Sequence, residues 1–110
     1  MVITCDSQII CTKAEYANTF FKRFKGLMGR KSLAEGAGLL IEPCNQIHTF
    51  GMKFAIDTLT LDKDDVILYI DHEIQPGKIR KMVSKGRRVL ELPINICYRL
   101  DKLFQWSRKH

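Results

Sequence analysis

The stretch TLTLDKDDVILYID, residues 58–71, contains the clearest fold signal in the chain. Two runs rich in apolar and β-branched residues flank the polar triplet Lys63, Asp64 and Asp65, a pattern typical of a β-hairpin. Asp65 tolerates the left-handed backbone conformation that such a turn often needs. The pattern predicts two antiparallel strands and indicates a mainly β protein.

Further short strands are predicted on both sides of this hairpin. Residues 2–4 and 8–12 are rich in β-branched residues and flank the turn formers Asp6 and Ser7, so they predict a second hairpin. Residues 39–41 form a compact apolar run that Pro43 ends, because proline cannot donate to a strand ladder. Residues 88–92, RVLEL, alternate and predict another strand.

Two segments carry helical rather than strand periodicity. Asn18 or Thr19 can cap a helix over residues 19–28, for which Gly29 is the expected end. Its apolar residues recur at three- and four-residue steps, which predicts a face packed on the core. They are Phe20, Phe21, Phe24, Leu27 and Met28. A weaker pattern over residues 95–104 predicts a short C-terminal helix.

Length and composition fit one soluble domain over residues 1–110. Hydrophobic residues make up 45% and charged residues 27% of the chain, and no window approaches the ~20 apolar residues of a membrane span. The N-terminal ten residues lack the basic lead and apolar core of a secretory signal. We therefore expect a cytoplasmic protein with no membrane partner.

The net charge of +6 is unevenly distributed. Basic residues concentrate in two runs, residues 22–31 and 78–88, and six of the twelve acids lie within residues 57–73, between these runs. Such runs can bind nucleic acid or another polyanion, although basic residues on surfaces are more often simply solvated. The four cysteines form no C-x-x-C pair, so neither a zinc ribbon nor a disulfide framework is indicated.

The unusual residues of the chain collect between Pro43 and Leu61. Cys44, His48 and Met52 follow one another at four-residue intervals and are soft or borderline metal ligands. If the segment is a strand, however, Cys44 and His48 lie ~13 Å apart, too far to share one metal or a catalytic hydrogen bond. We expect no metal and no cofactor.

Asp57 stands in an apolar run, where an ionised carboxylate needs a cationic partner or several hydrogen-bond donors. Arg23 and Arg30 are the candidate partners, because the predicted helical segment that carries them should dock on the sheet. The alternative is an exposed Asp57 at a strand end.

Three segments together carry a resemblance to a known family. They are RFKGLMGRKSL (Arg23–Leu33), GLLIEPCNQIHTFGMKFAIDTLTLD (Gly38–Asp62) and VLELP (Val89–Pro93). The chain resembles the "domain of unknown function 192" family, in the branch with Cys, Ile-His-Thr and Met where other members have W-M-K-N-T. The resemblance implies a mainly β, jelly-roll-like sandwich or half-barrel with one or two short helices. It implies no activity.

Three function classes follow from these residues. The first is a binding or accessory module for an unidentified small molecule or protein, with a cleft beside Arg23, Arg30, Cys44, His48, Met52 and Asp57. The second is an enzyme that uses Cys44 and His48. The third is a nucleic-acid or polyanion binder that uses the basic runs. Of these, the sequence favours the binding module.

Overall fold

A computed structural model describes residues 1–5 and 8–96 of the chain and contains seven strands and one helix in those ranges. The elements are β1 (Ile3–Cys5), β2 (Gln8–Cys11), β3 (Lys13–Ala17), α1 (Phe20–Lys25), β4 (Ala37–Ile41), β5 (Ile56–Leu61), β6 (Ile67–Ile74) and β7 (Arg88–Leu92). No helix of the described residues has the length and apolar character needed to span a membrane.

Five of the strands form one sheet in the order β3-β4-β7-β5-β6. Strand β3 runs parallel to β4, and the other neighbours are antiparallel. Strand β7 therefore has a partner on each side, and four of its five residues are buried. Strands β1 and β2 form a separate antiparallel hairpin.

Each face of the five-stranded sheet has its own apolar cluster, because successive side chains of a strand point to opposite sides. On the first, which we call the site face, Ile41, Ile56 and Val89 pack with Leu27 and with residues of the segment 42–55. On the second, the hairpin face, Leu59 and Leu90 pack against residues of β1 and β2.

The mainly β architecture expected from the sequence is confirmed. Both hairpins are present, and β7 has the predicted bounds. Asp65 has a positive φ of 65°, as the turn chemistry predicted. The predicted helix over residues 95–104 lies almost entirely outside the described residues.

The prediction of a helix over residues 19–28 with a core-facing aromatic stripe is wrong in two respects. Thr19 does cap α1, since its side chain accepts a hydrogen bond from the Lys22 N–H at 3.2 Å, but the helix ends already at Gly26. No residue of α1 is buried, and the apolar residue that enters the core is Leu27, just after the helix. Six residues are too few to lay a helical stripe across the sheet.

Residues 42–55 are irregular rather than extended, apart from an isolated bridge between His48 and Ile79. The strand spacing assumed for Cys44 and His48 is therefore wrong. The edge strand β3 was missed, because KAEYA has little of the β-branched and aromatic character that marks a strand.

Asp57 is buried as the sequence predicted, but it does not bind the arginines of the α1 region. It lies on the hairpin face, at an odd-numbered position of β5, whereas Arg23 and Arg30 lie on the site face. Its carboxylate accepts hydrogen bonds from the backbone N–H groups of Glu73, at 2.7 Å, and Asn95, at 3.0 Å. Asp57 thus fastens the end of β6 and the segment after β7 to the sheet.

Replacing Asp57 with Ala should lower the free energy of unfolding by about 3 kcal/mol, because two backbone N–H groups lose their acceptor. Asp57→Asn should cost less, since the amide oxygen still accepts. Urea unfolding measures both. Asp64→Ala, in the exposed turn between β5 and β6, is the control and should stay within about 0.5 kcal/mol. Equal values for Asp57→Ala and Asp64→Ala would contradict the fastening role.

Candidate functional site

A small cavity of about 50 Å³ opens on the site face, between the end of α1, the segment 42–55 and strand β7. Two basic residues, Arg23 and Lys25, and one acidic residue, Glu91, line it. Aromatic and sulfur-containing side chains make up much of the remaining wall. They are Phe24, His48 and Phe50, together with Met28, Cys44 and Met52.

Glu91 is the acidic group of this cavity. On β7 it follows Val89 by two positions, so it points to the site face, where it is only 3% exposed. Burial raises the pKa of its carboxyl from 4.5 to about 8, and the Arg30 charge offsets this only in part. The carboxyl group is therefore mostly neutral at pH 7 and can donate a hydrogen bond as well as accept one.

Arg23 is the basic residue of the cavity that is fixed by a hydrogen bond. Its Nη1 atom donates to the Pro43 carbonyl at 3.3 Å, which fixes the guanidinium against the segment 42–55. Its Nε atom is buried without a hydrogen-bond partner.

Buried polar atoms without partners are uncommon in folded proteins, and each calls for an explanation. Three such side-chain atoms occur in the described part of the chain: Arg23 Nε, Arg88 Nε and Glu91 Oε1. Arg88 Nε lies 3.1 Å from the Glu42 carboxylate in an ion pair. The other two both belong to residues that line this one cavity.

Gly26 brings the chain across the Glu91 carboxyl. It ends α1 with a positive φ of 49°, which glycine adopts more readily than other residues. A Cβ atom placed on it would lie 3.6 Å from Glu91 Oε1. The turn after α1 thus covers the buried carboxyl directly.

Cys44 and His48 line the same cavity but are occupied with local hydrogen bonds. The Cys44 thiol donates to the Gln46 carbonyl at 3.3 Å, and burial raises the pKa of this thiol. His48 Nδ1 accepts from the Phe50 N–H at 3.2 Å. No group of three metal-ligating His, Cys, Asp or Glu side chains occurs in the described residues.

The structure brings together four of the six residues named from the sequence, namely Arg23, Cys44, His48 and Met52. Arg30 does not line the cavity and forms an ion pair with Glu15 at 2.5 Å, and Asp57 lies on the opposite face of the sheet.

Sequence reasoning missed Glu91. The sequence did contain a signal for it. RVLEL is apolar enough for a strand that is buried on both faces, and in such a strand a lone acidic residue is unusual.

Comparisons with known proteins agree with this architecture. The family model of domain of unknown function 192, described as an uncharacterized ACR, matches residues 1–101. The chain therefore belongs to this family. No protein with a curated description matches it.

Two solved structures have the same fold. One is a protein of unknown function from Novosphingobium aromaticivorans, with a TM-score of 0.79 and 21% identity over 91% of this chain and 76% of that one. The other, from Sinorhizobium meliloti, is provisionally described as a transcription regulator and has a TM-score of 0.69 and 24% identity over 80% of this chain and 73% of that one. At these identities the likeness establishes the fold alone.

The raised pKa of Glu91 predicts how stability depends on pH. Between pH 4.5 and about 8 the unfolded chain ionises at this position while the folded protein keeps the proton, so stability falls as pH rises through that window. Glu91→Gln should remove this pH-dependent loss in the free energy of unfolding, which reaches about 5 kcal/mol at most. Relative to wild type, the variant should gain stability from pH 5 to pH 8 in urea unfolding.

Glu35→Gln, at an exposed position, is the control for a general effect of removing one negative charge. It should show no such gain. A difference between Glu91→Gln and wild type that stays constant across the pH range would contradict a buried neutral Glu91.

Proposed function

We propose that this protein is a binding module whose ligand inserts a carboxylate group into the cavity between Arg23 and Glu91. The observation that carries the proposal is the pair of buried atoms without partners, Arg23 Nε and Glu91 Oε1, at one cavity. Arginine only donates hydrogen bonds, and a neutral carboxyl group donates its O–H. Two donors beside one cavity suit an acceptor that carries negative charge.

The size of the cavity supports a carboxylate rather than a larger anion. A volume of about 50 Å³ holds only a few non-hydrogen atoms, since one buried water molecule needs ~10–15 Å³ of such space. The aromatic wall at Phe24 and Phe50 offers apolar contact to the part of the ligand that remains outside. A small aromatic or aliphatic acid, or the C-terminal carboxylate of a peptide, has this chemistry.

An enzyme with Cys44 as nucleophile has less support. Nucleophilic cysteines need a lowered pKa or an adjacent base, whereas burial raises the pKa of the Cys44 thiol. The thiol donates to the Gln46 carbonyl, and the His48 ring nitrogen Nδ1 accepts from a backbone N–H.

Polyanion binding through the basic runs also has less support, because several of their arginines are already paired. Arg30 pairs with Glu15, Arg80 with Asp71, and Arg88 with both Glu42 and Asp65.

Phenylacetate is a suitable probe, with phenylacetamide and 2-phenylethanol as uncharged analogues. We expect chemical-shift changes in NMR spectra at residues of the cavity wall, strongest for phenylacetate at about pH 7. Arg23→Gln should weaken binding at least about tenfold, as expected for losing a charge-assisted hydrogen bond. Lys22→Gln, a neighbouring change on an exposed residue that does not line the cavity, is the control and should bind as wild type.

The pH dependence of binding gives an independent check. Above about pH 8 the Glu91 carboxyl loses its proton, so it repels a carboxylate and no longer donates, and affinity should fall. Glu91→Gln keeps a donor without the titration, so its affinity should stay level from pH 7 to pH 9. If all three probes bind alike, the site does not select a carboxylate, and if none perturbs the cavity, it binds no such ligand. Either result overturns the proposal.

A further inference from the structure

Several large apolar side chains around α1 are exposed rather than packed. Phe20, Phe21 and Phe24 are 78%, 71% and 61% exposed, and Phe50 and Ile79 are 46% and 64% exposed. Single exposed apolar residues are normal on a protein surface, but a contiguous group marks an interaction site.

Three of these side chains and the half-buried His48 form a continuous row of rings. The rings of Phe20 and Phe24 stack with centroids 6.5 Å apart, Phe24 lies 6.4 Å from the His48 ring, and His48 lies 5.4 Å from the Phe50 ring. Ile79 continues the row, because it pairs with His48 in the isolated antiparallel bridge. We call this row the aromatic ridge: Phe20, Phe24, His48, Phe50 and Ile79.

Basic residues accompany the aromatic ridge in α1 and next to Ile79. Lys22, Arg23 and Lys25 lie in α1 itself, whose first turn contains no acidic residue. Lys78 precedes Ile79 in the chain and is exposed. The sequence from Tyr16 to Ala34 contains no Asp or Glu at all. The ridge is therefore an apolar surface bordered by lysine and arginine.

We propose that the aromatic ridge inserts into the surface of a bilayer that contains anionic phospholipid. Phenylalanine beside lysine and arginine is the composition of segments that lie in the membrane interface, where rings enter the acyl boundary and basic groups contact the headgroups. The expectation of no membrane partner rested on the lack of a spanning segment, which does not bear on interfacial binding. The inference goes beyond the proposed function and does not depend on it.

Two features favour lipid over a macromolecular partner. The α1 rings project from the surface with most of their area exposed, which suits a deformable apolar layer. A single-stranded nucleic acid stacks successive bases on aromatic faces, and the Phe24 and His48 rings are inclined by 59° to each other, so the row presents no common stacking face.

Vesicle co-sedimentation with the full chain tests the inference. We expect the protein to pellet with vesicles of phosphatidylcholine containing about 30 mol % phosphatidylserine, and at least about tenfold less with phosphatidylcholine alone. Raising NaCl from about 0.1 M to about 0.5 M should release part of the bound protein, because salt screens the basic residues.

Two ridge variants and one matched control complete the experiment. The double variant Phe20→Ser/Phe24→Ser should lose about tenfold or more in vesicle binding at unchanged thermal stability, because both rings are exposed. Lys22→Glu/Lys25→Glu should lose the preference for phosphatidylserine. Ile9→Ser/Val66→Ser removes two exposed apolar residues elsewhere, 63% and 53% exposed, and should bind as wild type.

Other outcomes would overturn the inference. Equal losses in the ridge and control variants would show that general surface hydrophobicity drives binding. If the wild-type protein does not bind vesicles but binds a single-stranded RNA, the ridge has a nucleic-acid partner instead. If it does not bind vesicles but self-associates in sedimentation velocity, and Phe20→Ser/Phe24→Ser abolishes that association, the partner is a second copy of the chain. Failure of these tests leaves the carboxylate experiment unaffected, since that experiment uses no lipid.

Discussion

The burial of a carboxyl group in the central strand β7 is the main physical constraint on this structure. Glu91 stands between β4 and β5, opposite Leu39 and Thr58, and the turn at Gly26 covers it. Burying a carboxyl group costs free energy unless hydrogen bonds compensate, and here Oε1 has no partner. The free energy of unfolding of a folded domain is only ~5–15 kcal/mol, so the cost of burying this group is a large fraction of it. The function that we propose gives Glu91 a role, because it needs a neutral hydrogen-bond donor at this position.

The two faces of the sheet differ in how their buried acidic residues are hydrogen-bonded. On the hairpin face, Asp57 is also buried, but backbone N–H groups satisfy both of its oxygens, so it stabilises the fold. On the site face, Glu91 and Arg23 keep unsatisfied atoms beside a cavity. Asp57 and Glu91 thus differ in their hydrogen bonding, and that difference separates a structural role from the binding role that we propose.

The sequence predicted the features that depend on local chemistry. The hairpin across Lys63–Asp65, the β1–β2 pair and the strand RVLEL follow from period-two patterns and turn residues. Of the two cap candidates, Asn18 and Thr19, the structure uses Thr19. Features that depend on tertiary placement were not predictable in this way. The Phe20, Phe21 and Phe24 pattern matches a buried helical stripe, yet α1 ends before it can cross the sheet and leaves the rings exposed.

The candidate site shows the same division. Cys44, His48 and Met52 were recognisable by residue type, but their convergence depends on an irregular path for residues 42–55 that no periodicity encodes. The predicted pairing of Asp57 with Arg23 or Arg30 was wrong, because successive side chains of β5 alternate between the two faces and Asp57 lies on the face opposite the arginines. Glu91 was overlooked because an acid in an alternating strand is ordinarily assigned to solvent.

The most direct measurement is a ¹³C NMR titration of the Glu91 side-chain carboxyl in the folded protein, with Glu91→Gln to assign the signal. We expect a carboxyl pKa of about 8, and a further rise when phenylacetate is added, because a bound carboxylate disfavours ionisation of its neighbour. A Glu91 signal that titrates near 4.5, with or without phenylacetate, would contradict both the buried neutral carboxyl and the binding site built on it.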